Sequence, residues 1–381
     1  MKLGLYLGFA ATGVGVALPG SLLPLLLRRW SLGDARGGLL LFCFFIATTA
    51  GALASRGRMG HSLARGALLT AVGAISLALA TVGWGFAAIA VYGFGLGMAM
   101  TSTSLLVSRR FAAHRRVEMM RLNLLWAAGA CACPWLALGG QALHRGSHSA
   151  RPVNLLFGLA AFFALFAVWA VLVSRDARAD AFPSALLSSE STRPGRWPLL
   201  KVPLALLILV FCATGIENAT GGWLAAYAQR LGETADITIG AATAFWAGLL
   251  TSRLVYSLRI SERVAERIVL PASAALAAAG LTMLVGWPGS ASNVMAAAMV
   301  GFGVGPIYPL LLAIVLRQHE TPGIFVVAGF GASALPLATG ALSGWIHSLS
   351  AALCVPLAVA AMMIVLSLHL NTRRAPVSST T

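Results

Sequence analysis

Long apolar runs alternate with short polar, arginine-bearing segments along the whole chain. The runs fall near residues 4–27, 37–55, 63–82, 85–107, 120–141, 153–173, 200–228, 237–256, 266–286, 292–316, 323–346 and 350–370. Each has roughly the 20 residues that an α-helix needs to cross a bilayer core. None alternates residue by residue over about ten positions, as a membrane strand must. The pattern predicts an all-α membrane protein with twelve transmembrane helices. One stretch breaks the rhythm. Residues 174–199, SRDARADAFPSALLSSESTRPGRWPL, are polar and contain proline. They read as a cytoplasmic linker between two six-helix bundles, 1–173 and 200–381, the second ending in a short cytoplasmic tail.

The two bundles repeat each other. FAATGVGVALPG (9–20) aligns with FCATGIENATGG (211–222), with six of twelve positions identical. GALASR (51–56) aligns with GLLTSR (248–253), GFGLG (93–97) with GFGVG (301–305), and Gly129/Pro134 with Gly331/Pro336. Four matches in the same order at offsets near 200 indicate duplication. Six spans is an even number, so the halves are parallel repeats about an axis along the membrane normal, with a cavity between them.

Composition narrows the class. The 381 residues are 59% apolar and 10% charged, too much apolar surface for a soluble domain to hide. The net charge of +16 does not signal nucleic acid, because the arginines cluster in short loops between spans. With the N-terminus inside, 21 of the 27 Lys and Arg lie on the cytoplasmic side. Arg28, Arg29, Arg36, Arg145, Arg151 and Arg230 remain outside. Both termini are therefore expected in the cytoplasm. The five cysteines all lie in apolar runs and read as packing residues. No histidine stands at metal-ligand spacing, and no nucleophile–base pair or P-loop appears, so neither an enzyme nor a bound cofactor is expected. A non-transporting sensor is disfavoured too, since no soluble domain is appended.

Candidate chemistry centres on FCATGIENATGGW (211–223). Glu217 is the one carboxylate deep in a span, and its aligned partner in the first half is Gly15. A charge at that depth costs about 2.5–3.5 kcal/mol and is expected to face a cavity or a partner. There it can accept hydrogen bonds from solute hydroxyls, carry a coupling proton, or serve as a structural acid. Asn218 offers a donor and an acceptor beside it. Gly221 and Gly222 are expected to weaken the helix above the acid, or to permit close packing. Trp223 offers a ring face, although it points about 120° away from Glu217 on an ideal helix. Asn123 and Trp126, three residues apart, are expected to line the cavity from the other half. Trp246, Tyr308 and Phe330 are further lining candidates. Arg56 and Arg253, related by the repeat, are expected to latch the inner gate by gripping acids or helix C-termini across the half-interface.

These segments resemble the major facilitator superfamily over essentially the whole chain. GALASRGRMGH (51–61) is similar to the superfamily's loop 2–3 signature, with Ser55 in place of the usual aspartate. GIENATGGWLAAY, FWAGLLTSRL, GVGPIYPLLL and GASALPLATG resemble the fucose:proton symporter branch, which includes sodium-dependent glucose transporters. The resemblance implies a monomeric carrier in a bacterial inner membrane that takes up a monosaccharide or polyol with H⁺ or Na⁺. It departs from that branch in having no carboxylate in the first six spans except Glu118 at the cytoplasmic edge. A second reading is efflux of amphipathic compounds or a metabolite, since GACACPWLALGG (129–140) partly resembles an antiporter signature, with Cys133 replacing a glycine.

Overall fold

The computed structural model describes residues 2–55, 58–142, 154–176, 202–256, 266–287, 289–318 and 323–373. Arg56 and most of the expected linker, 177–199, lie outside the described residues. The first half contains α1 (Lys2–Arg29), α2 (Asp34–Ala54), α3 (Met59–Leu79), α4 (Val82–Arg110), α5 (Arg115–Ala142) and α6 (Asn154–Asp176). The second contains α7 (Leu204–Arg230), α8 (Ala235–Val255), α9 (Glu266–Gly286), α10 (Ser290–Val304), α11 (Ile307–Gln318), α12 (Gly323–Ile346), α13 (Leu349–Ala352) and α14 (Cys354–Arg373). Ten of these helical segments, with α10–α11 and α13–α14 each counted as one, are long and apolar enough to cross a membrane. α5 and α8 match them in length.

The expected tenth span is present as one membrane-crossing segment, Ser290–Val315. Its helix is interrupted at Gly305–Pro306, between α10 and α11. Proline has no backbone N–H to continue the ladder and its ring clashes with the preceding turn. α6 runs three residues into the expected linker, to Asp176.

The duplication is visible as packing. α1 lies on α5 as α7 lies on α12, α2 on α4 as α8 on α10, and α3 on α4 and α6 as α9 on α10 and α14. Glycines set the same close crossings in both halves. A Cβ on Gly93 or Gly97 would run into the carbonyls of Phe44 or Thr48 on α2. A Cβ on Gly301 or Gly305 would meet those of Phe245 or Leu249 on α8. Small residues let helix backbones approach in lipid, where no hydrophobic force drives association.

The halves meet along α2–α12, α5–α8 and α1–α7. Twelve spans bring the start of α1 and the end of α14 to one end of the bundle, the terminal end. The far end carries exposed tryptophans at Trp84, Trp287 and Trp345. Such rings suit the boundary between lipid and water. Apolar side chains such as Leu165, Val168 and Val365 cover the outer faces.

Candidate functional site

Glu217 sits midway along α7 and is buried. It has a partner, one of the two outcomes expected for a charge at that depth. Arg253, two residues before the end of α8, reaches back so that its Nη2 lies 3.2 Å from Glu217 Oε2. The pair is almost dry, with 13% of the arginine side chain and 10% of the glutamate side chain exposed. Arg253 Nε also donates to the Gly305 carbonyl at 3.2 Å, where α10 breaks. The last carbonyls of a helix carry partial negative charge, so this end is a natural seat for a cation. The guanidinium then lies over the Trp126 ring, 5.4 Å from its centroid, a cation–π contact that crosses from α8 to α5.

Aromatic side chains close the cluster. Trp126 meets Trp246 edge-on at 6.0 Å, and Trp246 meets Phe245 at 5.0 Å. Tyr308 stands in the first turn after the α10–α11 break, three residues from the Gly305 carbonyl that Arg253 holds. Five expected residues therefore converge: Glu217, Arg253, Trp126, Trp246 and Tyr308. They come from α5, α7, α8 and α11, and the cluster straddles the junction of the halves.

Arg253 differs from its expected role in one respect. It does grip an acid and a helix C-terminus, but both belong to its own half, and its contact across the interface is with an indole face. The aligned place in the first half holds no charge. There the Gly15 carbonyl accepts a hydrogen bond from Tyr92 at 3.0 Å.

Other expected residues stand apart. Asn218 donates to the Thr214 carbonyl at 2.8 Å and Asn123 to Met119 at 2.9 Å, each on its own helix. Asn123 is exposed, and Phe330 is 49% exposed, with no ring partner among the described residues. Trp223 is fully buried, and its indole N–H donates to the Pro336 carbonyl at 2.9 Å. Its ring fills the space left by Gly37 and Gly340, between α2 and α12. The glycine pair does not weaken α7, which runs unbroken from Leu204 to Arg230. Gly221 packs against Phe245 and Trp246, its carbonyl facing Gly20 of α1, and Gly222 packs against Leu41. Neighbouring helices hold the segment straight, and the glycines serve closeness rather than bending. The break lies at Gly305–Pro306 instead.

Asp34 was not among the expected residues. It opens α2 at the far end, is buried, and pairs with Arg230 of α7 through both carboxylate oxygens. Ser343 of α12 also donates to it. A signal existed, because Asp34 and Glu118 are the only acids in residues 1–173. Surrounded by Arg28, Arg29 and Arg36, however, Asp34 reads as loop. Glu118 is likewise paired, with Lys2 at 2.8 Å, with Arg121 at 3.1 Å and with the Tyr6 hydroxyl, all inside the first half.

A family model described as Major Facilitator Superfamily matches residues 5–326. No protein of curated function matches the sequence. Among solved structures, the chain is similar to a point mutant of the nucleoside transporter NupG, with a TM-score of 0.73 at 15% identity, covering 98% of this chain and 100% of that one. It is similar to tetrameric PepTSo2, with a TM-score of 0.65 at 13% identity over 98% and 97% of the chains. It is also similar to a point mutant of the E. coli fucose:proton symporter FucP, with a TM-score of 0.62 at 17% identity over 98% of each.

Proposed function

This chain belongs to the major facilitator superfamily, and from that premise we propose that it carries a small hydroxylated solute, a monosaccharide or polyol, by alternating access coupled to H⁺ or Na⁺. It is a transporter rather than an enzyme. The observation that carries the finer reading is the buried Glu217–Arg253 pair, set against Trp126 of the opposite half. A carboxylate and a guanidinium together accept from and donate to hydroxyl groups. Indole faces beside them suit the C–H face of a sugar ring. The fucose:proton symporter among the similar structures supports the same solute class.

Glu217 is the coupling group in this proposal. Protonation removes its charge and leaves Arg253 held by the Gly305 carbonyl and the Trp126 ring. Arg253 is then free to take a solute oxygen in place of the carboxylate. Because the guanidinium rests on an indole of the other half, that exchange changes a contact between the halves. The carrier works as a monomer in a bacterial inner membrane, with both termini in the cytoplasm. Arg56 would stand at the repeat position of Arg253 and contribute to the inner gate.

The test is transport in proteoliposomes. Wild-type protein is expected to exchange a labelled monosaccharide or polyol and to accumulate it under a proton or sodium gradient. Glu217→Gln is expected to keep exchange and lose gradient-driven accumulation. Accumulation equal to wild type in the Gln variant would end the coupling assignment.

The aromatic group Trp126, Trp246 and Phe245 favours one other reading, efflux of an amphipathic compound. In a thermal-shift screen, stabilisation by amphipathic drugs but by no sugar or polyol would select it.

A further inference from the structure

Three buried side-chain polar atoms have no hydrogen-bond partner among the described residues: Trp126 Nε1, Thr220 Oγ1 and Thr243 Oγ1. They are not scattered. Thr220 lies one turn from Glu217 on α7, toward the far end, and Thr243 one turn from Trp246 on α8, in the same direction. Gly221 rests against the Trp246 ring, and Trp246 meets the Trp126 ring. Cys131 of α5 lies 4.0 Å from the Thr243 carbonyl. Helices α5, α7 and α8 therefore meet at the level of these three atoms.

The rest of the molecule shows that this is a local exception. Thr12, Thr70, Thr103, Thr214 and Thr339 are also buried, and each hands its hydroxyl to a carbonyl of its own helix. Thr220 is the one buried threonine among the described residues that does not. The buried indoles of Trp30 and Trp223 likewise donate, to Ala80 and Pro336, whereas that of Trp126 does not. Buried polar groups are normally satisfied, so a cluster of exceptions asks for an occupant.

Space lies on the far-end side of the cluster. A cavity of about 140 Å³ opens there among α1, α5, α7 and α8, lined in part by Ser21, Arg28, Pro134, Ala225, Glu233 and Ala242 and not by the three atoms themselves. Ala242 is the chain neighbour of Thr243, and Ala225 and Pro134 lie within about two turns of Thr220 and Trp126.

We infer that Trp126 Nε1, Thr220 Oγ1 and Thr243 Oγ1 form a solute-binding subsite on the far-end side of the Glu217–Arg253 pair, for a neutral solute with neighbouring hydroxyl or carbonyl oxygens. The inference rests on the transport reading above and deepens it. An indole N–H only donates, so the solute must offer an acceptor there. Each threonine hydroxyl donates and accepts, which matches adjacent hydroxyls. Charge balance argues for neutrality, because Glu217 and Arg253 compensate each other at the floor of the subsite, and the cavity's Arg28 and Glu233 carry opposite charges.

The experiment uses the full-length protein in proteoliposomes with D-glucose, L-fucose, sorbitol and uridine as probes. Thr220→Val and Thr243→Val remove the polar atom and keep the shape, while Trp126→Phe removes the indole N–H together with part of the ring that meets Arg253 and Trp246. Wild type is expected to exchange at least one probe. Each variant is expected to raise its KM about tenfold, the effect of one lost hydrogen bond. The solute-free unfolding temperature of the two valine variants is expected to stay level or rise, because an unpaired buried hydroxyl has been replaced by a methyl. If wild type exchanges a probe and the variants keep its KM, the subsite is wrong while the transport reading stands. A lower solute-free unfolding temperature in the valine variants would also overturn it, since that marks a structural hydroxyl. Exchange of none of the four probes by wild type would instead defeat the hydroxylated-solute reading, and the subsite with it.

Discussion

Asp34 and Arg230 form an ion pair that ties the two halves together at the far end of the bundle, with Asp34 on α2 and Arg230 at the last turn of α7. The carboxylate is buried while 43% of the arginine side chain is exposed, and Ser343 of α12 adds a third helix to the knot. Opening the halves at that end would break this contact.

Asp34→Asn is therefore expected to favour conformations open at the far end. Breaking a pair with one buried member is worth about 1–3 kcal/mol, or roughly a 5- to 150-fold change in population. A cysteine placed at Gln229, which lines the cavity, is expected to react faster with a polar thiol reagent in the Asn variant. The exchanged pair Asp34→Arg with Arg230→Asp is expected to restore the slow rate. Unchanged labelling in the single variant would show that the pair does not hold the gate.

Glu217→Gln and Arg253→Gln each leave a buried charge without its partner. Each single variant is expected to lose about 3 kcal/mol of stability. The double variant is expected to unfold at a higher temperature than either single one, since neither charge is then stranded. Additive losses in the double variant would mean that the two groups do not act as a pair.

The glycine crossings make a matched prediction for both halves. Gly93→Ala and Gly301→Ala force a methyl into the carbonyls of Phe44 and Phe245 and are expected to cost about 1–3 kcal/mol each. Gly158→Ala on α6 meets nothing within 4 Å. There the better helix propensity of alanine is expected to add up to about 1 kcal/mol. Thermal unfolding in detergent separates the two outcomes.

Trp223→Phe keeps a ring between α2 and α12 and deletes the donor to Pro336. A loss of about 2–4 kcal/mol in stability is expected, from the hydrogen bond and the cavity left by the smaller ring, with the KM for solute unchanged. A raised KM at wild-type stability would return Trp223 to the solute site.

Much of this molecule was legible along the chain. Twelve apolar runs, GFGLG repeated as GFGVG, and the acid at 217 against glycine at 15 gave helix number, duplication and the asymmetry of the centre. These are one-dimensional facts, because bilayer thickness fixes helix length and a buried carboxylate is costly wherever it lies. Trp126, Trp246 and Tyr308 were among the cavity candidates, but so were Asn123 and Phe330, which stand apart.

Only the tertiary structure decided who meets whom. It joined Arg253 to Glu217 across 36 residues, Asp34 to Arg230 across 196, and the Trp126 ring to an arginine of the other half. It showed that Gly221 and Gly222 serve close packing while the break falls at Gly305–Pro306, and that Trp223 is spent on Pro336. The physical reason is that a polar group in an apolar surrounding takes whichever partner packing brings within about 3 Å, and no local pattern encodes that choice.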